Sequence, residues 1–336
     1  MKVLLTGATG FVGGHVLRAL ASRGDEVRCL VRASSPRRNL EGVGGDLEVV
    51  EGDLADRAAI ERAVDGCDIV YHCAADYRLW AERPQEIYET NVEGTRRVLR
   101  AAHEAGVERV VYTSSVGALG LEPSGAAADE RTPVTIADMV GHYKRSKYLA
   151  ERVAEEWAER GLDVVIVNPS TPVGEGDLKP TATGRIILDF LNGRTPAWVD
   201  TGLNLVDVRD VAAGHLLAAE RGRAGEKYIL GNRDMTLRDI LRTLAEIAGR
   251  PAPRLRVPHW AAFAAAAVDT AFARLRGVPP SVPLEAVRLA RHKMYFDSTK
   301  AVTELDLPQT PVEEALARAV AWFRDNGYVR SPGGER

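Results

Sequence analysis

Short apolar runs alternate with stretches whose apolar residues recur every three or four positions. Val3, Leu4 and Leu5 form a continuous apolar run that suits a strand buried on both faces of a parallel sheet. Further strands are expected at Glu26 to Val31, Leu47 to Val50, Asp68 to His72, Arg109 to Thr113, Val164 to Asn168 and Lys227 to Leu230. Between them Val12, Val16 and Ala19, then Ile87, Val92, Thr95 and Leu99, then Leu149, Val153 and Trp157, fall at helical spacing. Asn91 lies inside the second of these helices, which Gly106 ends; Gly161 ends the third. Strand–helix alternation predicts βαβ units and an α/β, doubly wound parallel sheet of Rossmann type, with its crevice beyond the C-terminal ends of the strands. The sheet domain is expected over 1–168 plus about 205–230. A smaller helix-rich substrate lobe takes about 169–204 and 231–296, and C-terminal helices take 297–336. The prolines of Asn168-Pro169-Ser170-Thr171-Pro172 are expected to stop strand pairing and turn the chain outward. Thr310-Pro311-Val312-Glu313 reads as a capping box with proline at the first helical position.

The 336 residues suit one large or two modest domains, and 45% apolar with 27% charged residues is ordinary for a globular protein. A net charge of −3 argues against nucleic acid or an acidic membrane as the main partner. Cys29, Cys67 and Cys73 show no C-x-x-C and the seven histidines no ligand spacing, so no metal site is expected and a reducing compartment fits. The first strand begins at once, leaving no room for a signal peptide; a cytoplasmic location is expected. The longest apolar stretch, Trp260 to Val268, is too short for a membrane span.

The residues following each strand carry the candidate chemistry. After the first comes Gly7-x-x-Gly10-x-x-Gly13, a strand–turn–helix arrangement that can hold a pyrophosphate on free backbone N–H groups. After the second, Arg32 stands where an NAD-binding fold usually places an acid, with Arg37 and Arg38 close behind; arginine there can pair with a 2′-phosphate. After the third, Asp53-Leu54 can accept from an adenine amino group, or Asp53 can cap the helix starting near Ala55. After the fourth, Cys73, Ala74 and Ala75 are small enough for a ribose to approach backbone, and Tyr77 to Trp80 can line a substrate pocket. The fifth runs into Thr113-Ser114-Ser115, whose hydroxyls can bond a substrate oxygen. On the next helix Tyr143 and Lys147, four apart, share a face. A lysine ammonium within a few ångströms would lower the tyrosine pKa from about 10 and make it an acid/base near neutral pH. Beyond the sixth strand, Lys179, Thr181 and Thr183 are polar candidates on a covering segment.

Gly7-Ala8-Thr9-Gly10-Phe11-Val12-Gly13, Thr113-Ser114-Ser115 and Tyr143-x-x-x-Lys147 together resemble the extended short-chain dehydrogenase/reductase family, its epimerase/dehydratase branch, over almost the whole chain. Tyr71 to Tyr77 and Asn168 to Gly174 look most like the hopanoid-associated sugar epimerases, with dihydroflavonol 4-reductase-like enzymes as near relatives. The resemblance implies Ser115, Tyr143 and Lys147 as the catalytic trio. It implies a cofactor site from Gly7, Thr9, Gly10, Phe11, Val12, Gly13, Arg32, Arg37, Asp53, Leu54, Cys73, Ala74, Ala75, Tyr143, Lys147, Pro169 and Ser170. Substrate contacts are then expected from Tyr77, Ser115, His142, Thr171 and Thr181. It implies a homodimer through the helices near 87–105 and 142–160. Sugar dehydratases of the family carry Asp-Glu after the active-site hydroxyl; here Val116 and Gly117 follow Ser115, so the acid and base for eliminating water are missing. Three functions stay open: an NAD(P)-dependent sugar epimerase, an NADPH-dependent carbonyl reductase, and a dinucleotide-sensing regulator without turnover. Arg32 favours NADP over NAD.

Overall fold

The computed structural model describes residues 1–78, 81–276 and 284–329. Seven strands form a parallel sheet: β1 (Lys2–Thr6), β2 (Glu26–Val31), β3 (Leu47–Glu51), β4 (Ile69–His72), β5 (Arg109–Thr113), β6 (Val164–Pro169) and β10 (Lys227–Leu230), in the order β10-β6-β5-β4-β1-β2-β3. The strand order reverses between β1 and β4, so the crevice opens above their C-terminal ends.

Alternation along each strand separates two cores. Val3 and Leu5 face α1 (Phe11–Arg23), α7 (Val208–Arg221) and α11 (Thr299–Leu305). Leu4 faces the other way, toward α2 (Arg57–Val64), α4 (Gly94–Glu104) and α5 (Gly141–Glu159). Both faces are covered, which is why β1 reads as an unbroken apolar run. Truncating Leu4 or Leu5 to alanine costs about 2–5 kcal/mol by the usual core scale.

The helix expected from Ile87 to Gly106 is one path with a defect. A short α3 (Gln85–Tyr88) passes through a π-turn at Glu89–Glu93 before α4 begins. The π-turn contains Asn91, and such bulges concentrate at functional sites.

The prolines after β6 do not end strand pairing as expected. Pro169 sits opposite Leu230 within the sheet, and Thr171–Val173 forms β7, paired with β9 (Gly202–Asp207). Proline lacks an N–H, yet its carbonyl still accepts, so a short strand tolerates it. β11 (Arg233–Thr236) and β13 (Lys293–Met294) complete this small sheet, while β8 (Ala197–Trp198) and β12 (Leu255–Arg256) pair separately. A third core joins α6 (Ala182–Leu191), α8 (Leu237–Ala248) and α12 (Val312–Asp325) to β7, β9 and β11. α9 (His259–Arg276) and α10 (Leu284–Leu289) form the outer part of this lobe.

The C-terminal helices divide between the two bodies. Ala301, Leu305 and Leu307 belong to the core under β1, whereas Leu316, Val320 and Phe323 belong to the third. The capping box expected at Thr310 is absent: Pro311 is the N-cap, without a side-chain cap bond. Thr310 instead donates its N–H and hydroxyl to Asp210, at 2.7 and 2.8 Å, tying the start of α12 to α7. No helix among the described residues is long and apolar enough to cross a membrane.

Candidate active site

The glycine turn is held by backbone contact. Gly7 has φ +79°, and a Cβ there would stand 2.6 Å from the Ala74 nitrogen at the end of β4. A Cβ on Gly13 would stand 2.1 Å from the Gly7 carbonyl oxygen, so any side chain would drive α1 off the turn. Gly10 caps α1 without a side-chain bond, and the first turn carries no acid. Its N–H groups therefore remain available to an anion, which fits a dinucleotide pyrophosphate. Thr9 and Gly10 present their carbonyls to Asn39, whose amide donates at 3.2 and 3.0 Å. Phe11 lies edge-on to His15, which bonds the Glu175 carbonyl at 2.8 Å.

Arg32 and Asp53 reach the same place at the sheet edge, 3.9 Å apart and both exposed. Arg37 pairs with Glu51 at 3.3 Å, and Arg38 turns away to Asn326. The reading of Asp53 as a helix cap is corrected: Asp56 caps α2 by accepting from Ala59, and Asp53 accepts from Ala55 in a local turn. Leu54 is buried under Gly94 and its carbonyl accepts from Arg97.

At the end of β4, Cys73 and Ala75 are partly buried, and Ala74 donates its N–H to the Thr6 hydroxyl at 3.2 Å. That hydroxyl also meets His72 Nδ1 at 2.7 Å, and His72 Nε2 meets Thr95 Oγ1 at 3.0 Å. Burial drives the His72 pKa down to about 3, so this link stays neutral. Thr95 donates to the Asn91 carbonyl at 2.7 Å. The Asn91 side chain in turn holds Asp76 by two bonds and donates to Ser146 on α5 at 2.8 Å.

Ser115 follows β5 and accepts from the Gly117 N–H at 3.0 Å. The Tyr143 ring lies close by: a Cβ on Gly117 would stand 3.3 Å from Ser115 Oγ and 3.8 Å from Tyr143 Cε1. Burial raises the Tyr143 pKa, and the neighbouring Ser115 hydroxyl opposes that rise. This corrects the expectation that Lys147 lowers it. The Lys147 ammonium points to the Thr113 carbonyl at 2.8 Å and the Tyr112 hydroxyl at 3.2 Å. Burial lowers the Lys147 pKa to about 8, with Glu151 opposing. A nicotinamide cation would supply the missing favourable charge.

Three features escape the sequence patterns. Glu151, wholly buried one turn beyond Lys147, accepts from Ser114 at 2.5 Å and Asn168 at 2.7 Å and pairs with Lys227 at 3.1 Å. Asn168 also donates to the Ser115 carbonyl at 3.1 Å, so Glu151 fixes the strand end that carries Ser115. Lys144 is buried beside Gly117, and burial lowers its pKa to about 8. Thr113 joins β5 to α7: His215 Nδ1 meets the Val211 carbonyl, leaving Nε2 to accept from the Thr113 hydroxyl at 2.8 Å. Helical spacing alone does not tell that the Glu151 carboxylate faces the sheet, and the long-range partners of Lys144 and His215 have no local pattern at all.

The substrate candidates scatter. His142 meets the Tyr88 hydroxyl at 3.1 Å beside Tyr143. Tyr77 donates to the Lys179 carbonyl at 3.2 Å, while Leu79 and Trp80 lie outside the described residues. Thr181 caps α6 and donates to Asp177, and Thr171 lies in β7. Pro169 ends β6, and the Ser170 hydroxyl is buried without a partner, the kind of orphan a bound group can satisfy.

Comparison with known proteins agrees with this geometry. The NAD dependent epimerase/dehydratase family matches residues 3–231. The chain is 47% identical over 331 residues to a putative dihydroflavonol 4-reductase from Synechocystis sp., covering 97% of this chain and 96% of the relative. It is 39% identical to sterol demethylase protein B from Methylococcus capsulatus, covering 98% and 100%. The crystal structure of a nucleoside-diphosphate-sugar epimerase from Pseudomonas aeruginosa superposes with a TM-score of 0.79 at 30% identity, covering 98% and 99%. The chain belongs to the NAD dependent epimerase/dehydratase family, the extended short-chain dehydrogenases/reductases, and is an NAD(P)-dependent enzyme.

Proposed function

We propose that the chain is an NADP-dependent carbonyl reductase acting at a ketone or the corresponding secondary alcohol. The observation that carries the proposal is the meeting of Ser115 and Tyr143 beside Gly117, with Lys147 one turn further along α5, at the crevice where Gly7 meets Ala74. A reduced nicotinamide, when bound, supplies the hydride that forms the new C–H bond. Tyr143 gives its hydroxyl proton to the substrate oxygen, to which Ser115 also bonds, as the carbonyl π bond breaks. Lys147, as ammonium, grips the Thr113 carbonyl and so holds the strand end that carries Ser115 beside Tyr143. Reduction is therefore expected to slow as pH rises through about 8, where Lys147 loses its charge. Thr9 to Gly13 hold the pyrophosphate, Cys73 to Ala75 and Ser170 border the ribose and nicotinamide, and Arg32 with Arg37 takes the 2′-phosphate.

Epimerisation of a sugar is the second reading, favoured by the likeness to a nucleoside-diphosphate-sugar epimerase. The absence of a carboxylate at Val116 and Gly117 speaks against elimination of water. A homodimer through α4 and α5, with Leu149 exposed on α5, accompanies either reading.

The test is NADPH consumption against a panel of ketones and nucleotide sugars. Tyr143→Phe should keep cofactor affinity and lose roughly 10²-fold or more in kcat. Arg32→Ala should shrink the NADP-over-NAD binding preference by roughly ten- to a hundredfold, as one charge-assisted hydrogen bond would. Turnover of nucleotide sugars without net NADPH use would replace the reductase reading by the epimerase one.

A further inference from the structure

α9 turns a row of apolar side chains outward. Trp260, Ala264, Val268 and Phe272 follow one another at four-residue spacing, all exposed, with Ala265 and Ala271 beside them. The large side chains stand far out of the protein: Trp260 is 74% exposed, Val268 57% and Phe272 56%. On its inner face Ala266 and Ala273 are buried, and Phe263 lies under the Arg291 guanidinium at 5.6 Å. A surface helix normally turns its polar side to water. Leu255 on β12, 63% exposed between Arg254 and Arg256, extends the same character beyond the helix.

The charge around this stripe differs from that of the chain. Residues 250–293 hold eight lysines and arginines against two carboxylates, a net +6 in a chain of net −3. Of Arg254, Arg256, Arg276, Arg288, Arg291 and Lys293, all exposed, only Arg256 has a carboxylate within 4.0 Å among the described residues, Asp200 at 2.7 Å. The modest overall charge, which argues against an acidic membrane when averaged over the chain, conceals a basic lobe.

We propose that this lobe docks on an anionic lipid surface, with the α9 stripe entering the headgroup boundary and the arginines contacting lipid phosphates. An exposed apolar helix face ending in tryptophan and bordered by arginine is what interfacial helices use, and each basic residue near such a surface adds to the attraction. A second copy of this chain is disfavoured on the same face, since it would set +6 against +6. The acidic remainder of the chain orients the lobe toward the membrane.

The test is sedimentation of the full chain with phosphatidylcholine vesicles and with vesicles containing phosphatidylglycerol, following Trp fluorescence. Binding to the phosphatidylglycerol vesicles, at least tenfold weakened by the triple variant Trp260→Ser/Val268→Ser/Phe272→Ser and by 0.5 M salt, is expected. The variant should keep its thermal melting temperature, which separates loss of docking from loss of fold. Absence of binding to either vesicle, binding unaffected by the variant, or a variant-sensitive dimer in vesicle-free solution would each overturn the proposal. None of these readouts depends on the reductase reading.

Discussion

Around the strand ends of the parallel sheet, His72, Glu151 and Asn168 are enclosed and hydrogen-bonded, whereas on α9 Trp260, Val268 and Phe272 stand in solvent beside arginines of which, among the described residues, Arg256 alone has a carboxylate partner. Each enclosed polar group spans elements distant in sequence: His72 links β1 to the helix after the π-turn, and Glu151 links α5 to β5, β6 and β10. Such groups cost stability unless every partner is present, so they specify one arrangement of the strand ends. The outer lobe makes no such demand. Its exposed apolar side chains contribute little to folding and leave that face free to meet something else.

This contrast can be broken most sharply at Glu151. Glu151→Ala leaves the partly buried Lys227 with Glu155 alone, at 2.9 Å, and removes the acceptor for Ser114 and Asn168. A loss of about 2–5 kcal/mol in denaturant unfolding is expected from the two buried donors left unsatisfied, and a loss under about 1 kcal/mol would mean that the strand ends hold themselves. Next in size is the acid response of His72. The unfolded chain takes up a proton near pH 6.5, and the folded chain refuses it until about pH 3, so stability is lost as pH falls through that window. Between pH 6.5 and 4.5 the wild type should lose about 2.3 kcal/mol more than His72→Asn, the slope reaching about 1.4 kcal/mol per pH unit once the unfolded histidine is fully protonated. Parallel stability–pH curves for the two proteins would contradict a neutral buried histidine. Smallest is the outer lobe: the Trp260→Ser/Val268→Ser/Phe272→Ser variant should change unfolding free energy by no more than about 0.5 kcal/mol per site. A larger loss would place the stripe in the core of the fold.

What the sequence made legible was local. The apolar run at Val3 to Leu5, the three glycines and the Tyr143/Lys147 pair each write their geometry within a few residues, because strand, turn and helix periods do so. The π-turn at Glu89–Glu93 leaves no such trace, since its cause is the set of long-range bonds made by Asn91. The direction of the Lys147 ammonium was equally hidden. Helical spacing places it on the face of Tyr143, and the carbonyl of Thr113, 34 residues away, decides where it points. Thr310 carried a capping signature, but Asp210, 100 residues away, took its hydrogen bonds. The charge of the outer lobe was present in the sequence throughout and vanished only in the average.

The return of α11 to the first core bears on the order in which the protein is made. Ala301, Leu305 and Leu307 pack with Val206, Val211 and Tyr228, and Lys300 reaches the Lys227 carbonyl at 2.7 Å and Glu226 at 2.5 Å. Tyr228 donates to Glu304 at 3.1 Å. During synthesis every strand of the main sheet has left the ribosome some seventy residues before this closing helix does. In that interval one face of β10 and α7 is uncovered, and the nascent nucleotide-binding half presents the surface that chaperones recognise. β11, α8, β12, α9, α10 and β13 all lie in the chain between the last strand and its cover, so the two bodies become stable together.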